Sequence, residues 1–188
     1  MIKILQCDVS DKTHTNARLL DAHRLTEMRF NFGDVQSGIF PEGIQIKIKT
    51  KREPNDYFHA GPISVVSANV KDVFDSYKVK AEYFLLNITL SNGETSLTKY
   101  YYLNILEMVD CLDWSASEYT PVREYATKLK KIVLVDEMCH QAPVFLVSRT
   151  TSNVLCCSDS VVTSLRQYGC KGINYVSSDT WRNPAYPT

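Results

Sequence analysis

Residues 99–119, KYYYLNILEMVDCLDWSASEY, constrain this chain more than any other stretch. Tyr100, Tyr101, Tyr102, Leu103, Ile105, Leu106, Met108 and Val109 make a near-continuous aromatic and aliphatic run, interrupted by Asn104 and Glu107. Side chains of this kind suit a pleated surface, so the run reads as a buried strand over residues 100–109. Asp110, Asp113 and Glu118 follow it, set around Trp114 and Tyr119. The most apolar stretch of the chain thus hands over to its most concentrated local acidity.

Composition removes several function classes. Lys plus Arg and Asp plus Glu number 21 each, so no global field steers the chain to nucleic acid or to an anionic membrane. A hydrophobic content of 44% over 188 residues supplies a core for one domain, or for two small lobes that share one. The opening MIKILQCDVSDK has its short apolar run broken by Lys3 and Gln6, with no cleavage-site pattern behind it. Nowhere do enough apolar residues follow one another to span a bilayer. A cytoplasmic protein with no membrane or nucleic-acid partner is the expectation. Cys7, Cys111, Cys139, Cys156, Cys157 and Cys170 are scattered and lack a secretion signal, which points to reduced thiols serving as small core hydrophobes. No Cys-x-x-Cys occurs, and Cys139 beside His140 has the wrong spacing for two ligands from one turn, so no metal site is expected. A phosphate loop, a dinucleotide fingerprint and an HExxH motif are all missing, and no cofactor is expected.

In chain order, residues 2–7 read as a strand and residues 17–25 as a short helix that Asn16 caps. Residues 30–43 carry Gly33, Gly38, Pro41 and Gly43 and read as a loop. GIQIKIKTK then alternates Ile44, Ile46 and Ile48 with Gln45, Lys47 and Lys49, the period of a strand with one wet face. Residues 52–62 have linker composition and set a soft boundary. Residues 80–90 and 100–109 are strands joined through Asn92-Gly93, a hairpin signal, and so are expected to be antiparallel neighbours. Residues 120–131 are polar, 132–135 and 144–148 are short strands with a loop between them, and 177–188 form a polar tail that Trp181 clips to the body.

One grammar occurs twice. Residues 63–84 and 154–175 each contain a short apolar strand, a Ser, an amphipathic helix and a second strand. At constant offset Ser67 matches Ser158, Val70 matches Val161, Tyr77 matches Tyr168 and Lys80 matches Lys171. Either an internal duplication or the shared apolar spacing of two amphipathic helices produces this. Both Ser residues read as helix caps, because no Gly-x-Ser-x-Gly elbow surrounds them. The fold class is therefore α+β, a mainly antiparallel sheet with short helices.

The candidate chemistry is thin. Asp110, Asp113 and Glu118 fit a cation site or an acid/base pair, and equally fit turn capping, surface ion pairs or contact with a partner. A small hydrolase or transferase using Asp110 and Asp113, or a Cys thiolate, is the enzymatic alternative, and it requires pKa values pushed apart by a pocket.

The string YYYLNILEMVDCLDWSASEY resembles the signature of family eleven of the bacterial immunity proteins of polymorphic toxin systems, through Tyr102, Leu103, Asn104, Asp110, Leu112, Asp113, Trp114 and Ser117. The similarity extends upstream to PISVVS and downstream through VFLVS to GCKGINYV, covering residues 62–176 as a core domain between an individual N-terminal part, 1–61, and the tail. The resemblance implies a non-enzymatic antidote that binds and occludes a cognate toxin encoded by an adjacent gene. Asp110, Asp113, Trp114, Glu118 and Tyr119 are the expected contact residues, and residues 30–40 with Tyr57 and Phe58 are the rival location.

Overall fold

The computed structural model describes residues 1–9 and 14–182. In chain order its strands and helices are β1 (Ile2–Cys7), β2 (Ala17–Leu19), β3 (Gln45–Ile48), β4 (Tyr57–Ala60), β5 (Ile63–Ser67), α1 (Ala68–Ser76), β6 (Ala81–Thr89) and β7 (Tyr100–Ile105). There follow β8 (Met108–Val109), β9 (Glu118–Val122), β10 (Tyr125–Lys131), α2 (Asp136–Cys139), β11 (Val144–Val147), β12 (Leu155–Ser158), α3 (Asp159–Gln167) and β13 (Ile173–Ser177). The class is α+β: two larger sheets, ordered β2-β3-β6-β7-β5-β4 and β13-β1-β12-β11-β8, and the hairpin β9-β10. Neighbouring strands are antiparallel except in the pairs β3-β6 and β8-β11.

The apolar run divides between the sheets. Tyr100–Ile105 pairs with β5 and β6 in the first sheet, and Met108–Val109 pairs with β11 in the second. The break falls at Glu107, one of the two polar interruptions. The Leu106 N–H donates to the Lys80 carbonyl (2.9 Å), and the Glu107 carbonyl accepts from the Leu146 N–H (2.9 Å). One continuous strand was expected, and a chain that changes sheets at its polar residue is what forms.

Strands buried on both faces carry the continuous apolar runs. Every residue of β5 (ISVVS) and β11 (VFLV) is buried. Three cores result. Ile46, Ile48, Phe58, Val65, Ile88 and Tyr102 fill the first sheet's inner face. Leu103, Ile105, Val70, Phe74, Leu155 and Leu165 lie where both sheets meet α1 and α3. Ile4, Val109, Phe145, Cys156, Leu129 and Trp181 form the third, between the second sheet and the β9-β10 hairpin. β3 shows the alternation that its sequence predicts, with Ile46 and Ile48 buried and Gln45 and Lys47 exposed.

The two strand-helix-strand units take up the same topology. β5 and β6 flank β7, β12 and β13 flank β1, and each flanking strand is antiparallel to the one it encloses. The helices meet at Tyr77, whose hydroxyl bonds the Ser160 carbonyl and the Ser164 hydroxyl, both at 2.9 Å. Ser67 caps α1 by accepting from the Val70 N–H (3.4 Å). Ser158 occupies the matching position with extended backbone, but its hydroxyl bonds Ser160 Oγ (2.9 Å) instead of the helix backbone. This likeness is one of topology, which two Ser-led amphipathic helices reach with or without a common ancestor.

Some local expectations give way to tertiary pairing. Residues 17–25 are not one helix: Ala17–Leu19 pairs with β3, and only Ala22–Leu25 turns, as a 3-10 helix. Asp21 imposes the bend by accepting from the Gln45 N–H (3.0 Å). Residues 132–135 run extended against 111–113 without forming a strand, α2 stands where a loop was expected, and the polar residues 120–131 lie largely in the β9-β10 hairpin. Trp181 is 4% exposed and does anchor the chain's end; the remainder of the predicted polar tail, 183–188, lies outside the described residues.

Candidate functional site

The exit of the apolar run lies at the β8 edge of the second sheet. Asp110, the first residue beyond β8, forms an ion pair with Arg149, the two side chains being 43% and 44% exposed. Arg149 sits in the turn after β11 with positive φ (54°), and its carbonyl accepts from the Ala126 N–H (2.8 Å), so β10 fixes its position. Its guanidinium lies 5.0 Å from the centre of the Trp114 ring. Trp114 in turn meets Tyr119 edge to face, with centroids 5.4 Å apart at 85°. Asp110, Arg149, Trp114 and Tyr119 therefore make one connected surface chain of charge, cation–π and aromatic contact.

Asp113 belongs to a different arrangement. Its Oδ1 accepts from the Ser115 hydroxyl (2.7 Å), the Ser115 N–H (3.0 Å) and the Ala116 N–H (3.0 Å), and its carbonyl accepts from the Ser117 N–H (3.0 Å). Those bonds, the Ser115 hydroxyl foremost, hold its carboxyl below the usual carboxylate range. Ser117 continues the turn by accepting from the Val133 N–H (2.9 Å). Glu118 opens β9 opposite Lys131 and is exposed. The structure thus gathers Asp110, Trp114 and Tyr119 and leaves Asp113 and Glu118 in separate local roles. Arg149 joins the cluster without any signal in the sequence beyond its place after a strand. Among the described residues, no group of three or more His, Cys, Asp or Glu side chains is placed to hold a metal ion.

Of the six cysteines Cys139 alone is lowered, by its hydrogen bond with Cys111 inside the third core, and the others are raised. Burial pushes the Cys7 and Cys170 thiols up to about 12, and raises Cys156 and Cys157 as well. Cys111 is raised by the hydrogen bond between its thiol and Cys139, then by burial, and both residues are fully enclosed in the third core.

Sequence reasoning missed two polar hubs. Asp56, in the segment of linker composition, accepts from the Ser67 hydroxyl (2.5 Å) and the Lys171 N–H (2.7 Å), and its own N–H donates to the Lys171 carbonyl (3.0 Å). It ties PISVVS to GCKGINYV. Glu82 accepts from the Gln36 N–H (2.7 Å), the Ser37 N–H (2.9 Å) and Asn104 Nδ2 (2.8 Å), and so holds the loop of residues 30–43 on β6 and β7. Of the rival location, Tyr57 and Phe58 are 3% and 1% exposed and belong to two different cores, so they are not surface.

Compared with known families, residues 4–180 match the Immunity protein family (Imm11). The chain belongs to the Imm11 immunity protein family. The matched span begins inside β1 and ends beyond β13, so it takes in strands of both larger sheets, α1, α2, α3 and the β9-β10 hairpin. None of the curated proteins compared with the chain matches it. Within this Imm11 chain, the signature positions do mostly structural work. Asn104 and Leu112 are buried, Asp113 and Ser117 build a turn, and Asp110 and Trp114 join Arg149 and Tyr119 in the surface cluster. No helix among the described residues is long and apolar enough to cross a membrane.

Proposed function

We propose that this chain is the antidote to a cognate protein toxin encoded beside it, acting in the cytoplasm by forming a stoichiometric complex that occludes the toxin. Membership of the immunity family over residues 4–180 carries this reading. The chemistry of the exit region supports binding over turnover. Asp110 is ion-paired with Arg149, and Asp113 is engaged by its own turn.

Asp110, Asp113, Trp114, Glu118 and Tyr119, together with Arg149, form the proposed contact face. Trp114, half-buried and held between Arg149 and Tyr119, supplies an ordered aromatic anchor of the kind that dominates interface energetics. Asp113 and Glu118, the carboxylates of this face outside the Asp110–Arg149 pair, favour a basic toxin surface and accelerate encounter. An interface of about 1,600 Å² in total is the scale expected for such a complex.

The test is co-expression with the neighbouring toxin gene, affinity capture, and association kinetics of Asp113→Lys and Trp114→Ala. A one-to-one complex is expected, with association of Asp113→Lys slowed roughly tenfold and dissociation of Trp114→Ala accelerated. Capture by both variants with wild-type kinetics would move the interface away from this face.

A further inference from the structure

The loop of residues 30–43 is fixed at its base and displays two apolar side chains among its exposed residues. Glu82 holds Gln36 and Ser37, Asn104 donates to the Asp34 carbonyl (2.9 Å), and Gln36 Nε2 donates to the Arg29 carbonyl (2.8 Å). Phe40 stacks on Phe84 and Tyr102 with centroids 4.6 and 5.0 Å away, and Phe30 meets Tyr102 edge-on at 5.7 Å. On this base Val35 and Ile39 stand 65% and 68% exposed. Two neighbouring apolar side chains displayed by an ordered loop meet the main requirement of a binding anchor, because their ordering is already accomplished by folding.

Shape and charge specify the occupant. A hollow of about 140 Å³ is lined by Met28, Val35 and Ile39 together with Glu27, Asp34 and Arg29. A second, of about 430 Å³, is lined by Phe40, Pro41, Phe84 and Leu85 together with Glu42 and Asn87. The nearby cations are engaged within the chain: Arg29 pairs with Asp34 (3.6 Å) and covers the Phe32 ring, and Arg24 lies 3.9 Å from Asp21. Glu27 and Glu42 have no ion-pair partner among the described residues. Apolar side chains and carboxylates therefore share the lining of both hollows, and with Arg29 paired to Asp34 the unbalanced charges are those of Glu27 and Glu42. The loop also runs beside the chain that leads into the proposed contact face: a Cβ at Gly33 would lie 2.6 Å from Met108 Cγ, two residues before Asp110.

We infer that Val35 and Ile39 are the apolar anchor of the toxin interface, receiving an apolar side chain flanked by Lys or Arg on the partner protein; this rests on the toxin-binding reading above. The probe is the toxin domain encoded by the neighbouring gene, carrying an inactivating substitution, and the variants are Val35→Asp, Ile39→Asp and the distant control Leu97→Asp, whose side chain is 94% exposed. Each loop variant should weaken binding by more than about thirtyfold, with Leu97→Asp within about twofold of wild type and all three melting at the wild-type temperature. Wild-type affinity in both loop variants, beside a stable wild-type complex, would overturn the anchor and leave the immunity reading standing. A wild-type protein that does not bind the toxin domain at all would remove that reading and the anchor with it. Self-association of the wild type that Ile39→Asp abolishes, with toxin binding intact, would overturn the anchor by assigning the loop to a second copy of the chain.

Discussion

Asn104 sits inside the most apolar run of the chain and is 2% exposed. Its amide donates both to the Asp34 carbonyl and to Glu82, so a residue that interrupts the hydrophobic pattern is the one that attaches the loop. Burial alone would raise the Glu82 carboxyl, but bonds from Ser37, Gln36 and Asn104 outweigh it and hold the pKa below the ordinary value. A depressed carboxyl contributes stability that is present above its unfolded pKa, near 4.3, and is lost as pH falls through the folded value. Glu82→Gln should therefore be less stable than wild type near neutral pH by about 1–2 kcal/mol, with the gap closing below about pH 4. Urea unfolding of both proteins across that range checks it, and a gap that persists in acid would mean that the carboxylate's charge is not what holds the loop. In the sequence, Asn104 showed as a polar break and as part of the family-like motif, with no sign of what it holds, and Glu82 as one charge among many. Their partners lie far away along the chain, and nothing local marks them.

At the level of elements, legibility followed the range of the forces involved. The alternation in β3, the Ser67 cap and the pairing of β6 with β7 across Asn92-Gly93 depend on neighbours in sequence, and the structure has all three. The β2 segment and the division of the apolar run depend on which backbone comes alongside, and periodicity alone could not supply that. The loop before β13 shows the same dependence. Gly172 has φ of +76°, and a Cβ there would lie 2.3 Å from Asn55 Cβ, so the chain between α3 and β13 passes the segment before β4 with no room for a side chain. Asp56 closes this junction through Ser67 and Lys171. Gly172→Ala and Asp56→Ala should each cost about 2–4 kcal/mol in chemical denaturation. Their combined effect should fall short of the sum, because both disrupt one junction. Full additivity would show that they act at independent places.

The whole molecule joins two sheets across a shared helical core, with the apolar run passing from one to the other and ending at a surface of charge and aromatic rings. The α+β class and the strong strands were legible because burial on both faces writes continuous apolar runs. The candidate face was legible only as a concentration of acidic and aromatic residues. Arg149, which neutralises Asp110 and orders Trp114, arrives from the turn after β11 and was invisible until the sheets were assembled. Occlusion by a folded binding protein also predicts a particular stoichiometry, which a catalytic detoxifier would not obey. The most direct test of the account is to titrate this protein into a fixed amount of the active cognate toxin and follow the residual toxin activity. We expect a linear fall to zero at one molecule per toxin, independent of incubation time once binding is complete. Progressive loss of toxin activity with time at far less than one equivalent would contradict the account and identify a turnover reaction instead.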